Sequence, residues 1–187
     1  MQKKFLMPAL LAATLLAACG PKDNSADSGA QTQMTPDMQA LAAGSKFLDD
    51  NSKKPGVKTT ASGLQYMVLR EGTGSHPTAT DNVTVNYRGT LIDGTEFDNS
   101  KKYPDRSNVY PMGGVIRGWA EALERMNPGA KWRLFVPSDL AYGSDGGPNI
   151  GPNATLIYDL ELVSISRERP KPTAEELKYD RDHIDED

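Results

Sequence analysis

The 187-residue chain has one cysteine, Cys19, and two histidines, His76 and His183. A lone thiol excludes an internal disulfide, so stability has to come from packing. Two scattered histidines exclude a histidine triad and offer no metal-ligand spacing: His76 precedes Pro77 in a turn, His183 sits among charged residues, and both read as solvated surface positions. The glycine pairs Gly113-Gly114 and Gly146-Gly147 lack the spacings that cradle phosphate and read as turns. A formal charge of −4 argues against nucleic acid as a partner. Neither a metal nor a cofactor is expected.

Long hydrophobic runs are also missing. The apolar stretch Phe5 to Ala18, preceded by Lys3 and Lys4, is 14 residues long, against roughly 20 for a helix that crosses a bilayer. It reads as a signal peptide over residues 1–18. The stretch ends in Leu16-Ala17-Ala18-Cys19, and small residues directly before a cysteine resemble a bacterial lipobox. That resemblance implies cleavage before Cys19, lipidation of its thiol and acylation of the new amino terminus; several acyl chains anchor durably where one does not. The expected location is the cell envelope. Gly20 rather than aspartate after the cysteine implies, by similarity to lipoprotein sorting, the outer membrane of a Gram-negative host, with the protein facing the periplasm or the exterior. Losing Lys3 and Lys4 would take the formal charge from −4 to −6 (−4 minus 2).

What is present divides the chain. Residues 19–34 are small and polar, a composition that cannot bury enough surface to order itself, and read as a flexible tether. Residues 35–61 carry a short helix and linker: Thr35 as N-cap, Pro36 at the first helical position, Met38, Leu41, Ala42, Ser45 and Leu48 along one face, and a stop before Pro55-Gly56. This helix either docks on the following domain or pairs with a copy of itself, leaving monomer and homodimer open. Residues 62–166 form one α+β domain with short alternating strands near 64–69, 83–87, 131–136 and 156–162, and one helix with Trp119, Ala122, Leu123 and Met126 at i, i+3, i+4 and i+7. Residues 167–187, with eight acidic and five basic side chains, read as a solvated acidic tail.

Within the domain, Tyr87, Phe97, Val115, Ile116, Trp119, Tyr142, Ile150 and Tyr158 stand near Gly and Pro turns. Singly each is a core residue; together they suit the lining of a concave pocket. The runs Val85-Asn86-Tyr87-Arg88-Gly89-Thr90-Leu91, Gly94-Thr95-Glu96-Phe97-Asp98-Asn99-Ser100, Val115-Ile116-Arg117-Gly118-Trp119, Ala141-Tyr142-Gly143 and Ile150-Gly151-Pro152-Asn153-Ala154-Thr155-Leu156 resemble, in order and spacing, the FKBP family of peptidyl-prolyl cis/trans isomerases. The segment from Lys46-Phe47-Leu48 to Gln65-Tyr66 is similar to the macrophage infectivity potentiator branch, in which a longer helical region precedes the domain and makes a dimer.

The resemblance implies an antiparallel sheet of about five strands wrapped around one short helix, and isomerisation of X-Pro bonds in unfolded or exported polypeptides, with macrolides as inhibitors. It implies Trp119 as the floor under the proline ring, with Tyr87, Phe97, Val115, Ile116 and Tyr158 as walls. Tyr142 would bond a substrate carbonyl, the Ile116 N–H would hold the substrate backbone, Ile150 would pack from a loop above, and Asp98 would sit at the rim. Near Asn108, where some members place an aromatic wall residue, this sequence departs from the pattern, and the loop between Tyr142 and Tyr158 is shorter than in minimal members. A membrane-anchored chaperone or binding module with this fold and little isomerase activity stays open as an alternative, as does an envelope scaffold.

Overall fold

The computed structural model describes residues 34–102 and 108–166. The leader, Cys19, the tether up to residue 33 and the acidic tail lie outside the described residues.

Helix α1 spans Pro36–Ser52. It starts as the sequence predicts: the Met38 N–H donates to Thr35 Oγ1 at 3.3 Å, and Pro36 takes a position where its missing N–H is not needed. The face it buries differs from the predicted one. Met38 and Leu41 are each 50% exposed, whereas Gly44, Phe47 and Asn51 turn inward. A Cβ on Gly44 would stand 2.3 Å from Thr155 Oγ1, so glycine is what lets the helix backbone approach there. Phe47 tilts against Phe135 with ring centroids 6.0 Å apart. Asn51 Nδ2 donates to Gln65 Oε1 at 2.9 Å, and Gln65 Nε2 donates to the Leu48 carbonyl at 2.9 Å. Counting apolar residues selects the wrong stripe because two of the anchors are a glycine and a buried amide. The helix thus docks on the domain and leaves its Met38–Leu41 side open.

Among the described residues seven strands make one antiparallel sheet, against the five or so expected. They are β1 (Val57–Thr59), β2 (Gln65–Arg70), β3 (Asn82–Leu91), β4 (Glu96–Asn99), β5 (Val109–Pro111), β6 (Lys131–Val136) and β7 (Leu156–Ser166). Their order is β1-β2-β6-β7-β3-β4, with β5 paired to β3. The strands not foreseen, β1, β4 and β5, are three or four residues long, too short to show a period of two. The β3/β7 ladder runs from Asn82↔Ser166 to Leu91↔Leu156 and forms the spine.

Alternation along β7 sends Leu156, Tyr158, Leu160 and Leu162 to the buried face, and Ile157, Asp159 and Glu161 to the other. Helix α2 (Arg117–Leu123) covers that buried face with Trp119, Ala122 and Leu123; Met126, in the turn that follows, is fully buried with them. Gly118 lets α2 come close to β6, since a Cβ there would stand 2.5 Å from Val136 Cγ1. Leu64, Val83, Val85, Leu134, Leu160 and Leu162 are wholly buried in the same cluster, and complete burial of such side chains stabilises by about 1.5–3 kcal/mol each. The opposite face carries cross-strand ion pairs, Arg133 with Asp159 and Arg70 with Glu161, which contribute little individually at an exposed surface. Among the described residues no helix is long and apolar enough to cross a membrane.

Candidate active site

Where α2 begins, its first turn stands beside Tyr87 of β3 and Tyr158 of β7, and a cavity of about 280 Å³ opens. Ile116, in extended conformation, is the N-cap of α2, and its carbonyl accepts from the Trp119 and Ala120 N–H groups at 2.9 and 3.1 Å. That turn places the Trp119 indole in the lining of the cavity, 6% exposed. Tyr87 meets it edge-on at 5.0 Å and 69°, Tyr158 at 5.0 Å and 79°, and Tyr110 at 6.2 Å and 86°. Edge-to-face contacts of this kind add roughly 0.5–1.5 kcal/mol each beyond area burial, so the floor is held rigidly.

The close ring packing depends on Gly89 and on an irregularity in the β3/β4 pair. Gly89 lies opposite Asp98 while Thr90 lies opposite Glu96, so Phe97 is an extra residue on β4. Bulges re-aim side chains; here Asp98 reaches the cavity and Phe97 turns onto Tyr158 at 5.6 Å and 89°. A Cβ on Gly89 would stand 2.5 Å from Phe97 Cζ and 2.9 Å from Tyr158 Cε1. No other residue leaves room for both rings.

Polar groups stand at two corners. The Tyr87 hydroxyl donates to Asp98 Oδ2 at 2.7 Å, and the Asn99 N–H donates to Asp98 Oδ1 at 2.7 Å. Burial first, and then the hydroxyl of Tyr110 and the carboxylate of Asp98, push the Tyr87 phenol well above its ordinary range, so it remains a neutral donor. At the other corner Tyr142, 39% exposed, lines the cavity together with Tyr158. Burial, followed by the proximity of Tyr142, pushes the Tyr158 phenol up in the same way.

Of the residues singled out from sequence, Tyr87, Asp98, Val115, Ile116, Trp119, Tyr142 and Tyr158 line the cavity together. Phe97 and Ile150 do not. Phe97 packs edge-on against Tyr158, and Ile150, 8% exposed, belongs to the core, where it exchanges two backbone hydrogen bonds with Gly147 at 2.9 Å. Sequence reasoning missed Tyr110 and Gly114. Tyr110 supplies an aromatic wall two positions beyond Asn108, where the departure from the family pattern left one lacking; its signal was an aromatic between Val109 and Pro111 on a strand too short to stand out. Among the described residues no group of His, Cys, Asp or Glu could hold a metal ion.

The profile described as FKBP-type peptidyl-prolyl cis-trans isomerase matches residues 73–163, the span that carries every residue of this cavity. The chain belongs to that family. A second profile, the domain amino terminal to FKBP-type peptidyl-prolyl isomerase, matches residues 11–68. The chain is 53% identical over 122 residues to the peptidyl-prolyl cis-trans isomerase Mip of Coxiella burnetii, covering 65% of this chain and 53% of that one. It is 49% identical over 128 residues to the outer membrane protein MIP of Legionella longbeachae, covering 67% and 54%. The chain therefore spans about half the length of these curated relatives. A crystal structure of a peptidyl-prolyl cis-trans isomerase from Pseudomonas syringae superposes with a TM-score of 0.65 at 40% identity, covering 71% of this chain and 98% of that one.

Proposed function

We propose that this chain is a peptidyl-prolyl cis/trans isomerase of the bacterial cell envelope that acts on proline-containing unfolded or exported polypeptides. The observation that carries the reading is the apolar aromatic box on Trp119, open to solvent and edged by Asp98 and Tyr142. Rotation about an X-Pro bond breaks no covalent bond, so it calls for no nucleophile or cofactor. The barrier, about 18–20 kcal/mol, is amide resonance. A planar imide places negative charge on its carbonyl oxygen, and an apolar cavity solvates that separated charge poorly. Twisting removes the resonance and the charge, so the cavity favours the twisted form over the planar one, which is differential binding of the transition state.

In this reading the proline ring lies on Trp119 between Tyr87, Tyr110, Val115, Ile116 and Tyr158, with Phe97 completing the wall against Tyr158 and Ile150 packing from the loop above. The Ile116 N–H and the Tyr142 hydroxyl hold the substrate backbone and a substrate carbonyl. Asp98 accepts from Tyr87 and fixes the upright ring. Macrolide inhibitors of the family would compete for the same cavity. An intact aromatic box supports the isomerase over a binding module that only holds clients.

The organisation proposed is a signal peptide at 1–18, a lipidated tether at 19–34, α1 as a strut, the isomerase domain at 62–166 and an acidic tail at 167–187. The lipobox-like Leu16-Ala17-Ala18-Cys19 and the outer-membrane name of the Legionella relative support an outer-membrane anchor. Two experiments test the reading. A protease-coupled assay on a proline tetrapeptide should show acceleration that Trp119→Leu, while folded, largely abolishes; an inactive wild type sinks the isomerase. Cys19→Ser should move the protein from the membrane to the soluble fraction; retention in the membrane sinks the lipid anchor.

A further inference from the structure

Among the described residues, eight of the nine that line the cavity carry a side chain; the ninth, Gly114, has none. Gly114 ends a three-residue 3-10 turn, Met112–Gly114, which Met112 anchors in the core while Gly113 and Gly114 stand exposed. The backbone does not require glycine here, because neither residue has a positive φ. Space does not require it at Gly113, where a Cβ would meet nothing within 4 Å. At Gly114 a Cβ would meet only Pro111, with Cγ at 3.0 Å and Cδ at 3.7 Å. Glycine in such a turn costs chain entropy that alanine would spare. What it does at 114 is leave the rim of the cavity open beside Val115.

The opening has a direction. Val115 and Ile116 are both extended, with ψ 162° and 149°, so two residues at about 3.3 Å each separate Gly114 from Ile116 by roughly 7 Å. The Ile116 N–H donates to no group among the described residues, and Ile116 lines the cavity, which leaves that donor for a peptide carbonyl. The carbonyl of the twisting imide is unsuited to it, since a hydrogen bond there stabilises the planar, charge-separated form and raises the barrier. The next carbonyl along the substrate is the proline's own. On one side Ile116 leads into α2 and the buried Trp119. The residue after proline therefore leaves the cavity along Val115, past Gly114.

We propose that Gly114 determines specificity for the residue that follows proline: its missing side chain is a notch that admits a large apolar side chain, such as leucine or phenylalanine, at that position of the substrate. The flanks of the notch, Pro111 and Val115, are apolar. They contribute contact to an aliphatic or aromatic side chain and offer no partner to a charged one, which would lose water without compensation. A β-carbon at position 114 would occupy the space that the substrate side chain uses.

This inference rests on the isomerase reading, and the test separates the two. Exchange NMR on the peptides Ala-Leu-Pro-Gly and Ala-Leu-Pro-Leu gives kcat/KM for the full chain and for Gly114→Val, with no coupling protease to impose its own preference on the last residue. Filling the notch should lower the ratio of kcat/KM for the leucine peptide over the glycine peptide by roughly tenfold, the low end for a methylene-sized misfit in an apolar pocket, because the rim is open on one side. Gly113→Ala, one position away and outside the lining, should keep the wild-type ratio with Tm unchanged or raised. Where valine unsettles the turn, Gly114→Ala carries the comparison in the same direction. An unchanged ratio in the folded variant overturns the proposal. So does an equal fall between Ala-Gly-Pro-Gly and Ala-Leu-Pro-Gly, which would assign the notch to the residue before proline. A wild type that binds the peptides without speeding exchange defeats the isomerase reading alone, since the notch is still read on the ratio of Kd by calorimetry; one that does neither defeats both.

Discussion

Gly89 is where fold and site depend on the same atom-sized space. Substituting Gly89→Ala puts a methyl group 2.5 Å from Phe97 Cζ, 2.7 Å from Phe97 Cε2 and 2.9 Å from Tyr158 Cε1. Ordinary contacts between carbons lie near 3.5–4.0 Å, so both rings must shift by the better part of an ångström. Phe97 is partly buried and can move outward, but Tyr158 is wedged between Trp119, Tyr87 and Phe97. Overpacking of this kind costs about 1–3 kcal/mol, which for a domain of this size lowers Tm by roughly 3–15 °C. Displacing Tyr158 also narrows the cavity beside Trp119, so kcat/KM should fall by more than the loss of folded protein explains. Thermal unfolding and the tetrapeptide assay read the two effects, and Phe97→Leu added to Gly89→Ala should restore part of the stability by making room. A Gly89→Ala protein with unchanged Tm and unchanged kcat/KM would refute the packing argument outright.

Three further outcomes follow from the same contacts. Asn51→Ala leaves the Gln65 amide buried with one partner fewer; it should cost about 1–3 kcal/mol in urea unfolding and free α1 for proteolysis, and equal protease resistance in the variant would count against docking. Tyr87→Phe removes the donor to Asp98 and should destabilise by about 0.5–1.5 kcal/mol with a changed Trp119 emission; an unaltered Tm would show that this hydrogen bond contributes nothing. Burial raises the Tyr158 phenol above its ordinary value, so the unfolded chain releases that proton above about pH 10 while the folded protein keeps it. The contribution is complete below pH 10 and is lost as pH rises, at up to about 1.4 kcal/mol per pH unit. Urea midpoints between pH 9 and 11 should therefore fall more steeply for wild type than for Tyr158→Phe, and parallel curves would refute the assignment.

How far the sequence could be read depends on length of pattern. Strand β7 was legible because Leu156, Tyr158, Leu160 and Leu162 alternate along it, β6 because Trp132 and Leu134 alternate with Lys131 and Arg133 before the apolar Phe135-Val136, and α2 because Trp119, Ala122, Leu123 and Met126 repeat at helical spacing around one buried face. Strands β1, β4 and β5 were not, since three or four residues contain no period. The face of α1 was misread for a different reason. Gly44 and Asn51 hold the helix by allowing close approach and by satisfying a buried amide, and neither property registers in a count of apolar residues.

The site shows the same division. Seven of its nine lining residues were read from motifs whose spacing survives without coordinates. Tyr110 was missed because it reaches the cavity through the pairing of β5 with β3, Val83 opposite Tyr110, a long-range contact that no local pattern encodes. Phe97, expected in the wall, stands as the extra residue of the bulge opposite Gly89 and meets Tyr158 edge-on. A register shift of one residue decides which of Phe97 and Asp98 faces the cavity, and register is a property of the paired strands.

The central claim is that the cavity over Trp119 speeds rotation about an X-Pro bond without altering its equilibrium. Exchange NMR on a proline peptide with substoichiometric protein tests it most directly, because cis and trans populations and their interconversion rate are read in one experiment. The account requires faster exchange at an unchanged cis/trans ratio, lost in a folded Trp119→Leu variant. Peptide resonances that shift on titration while the exchange rate stays at its uncatalysed value would contradict it and leave a binding module.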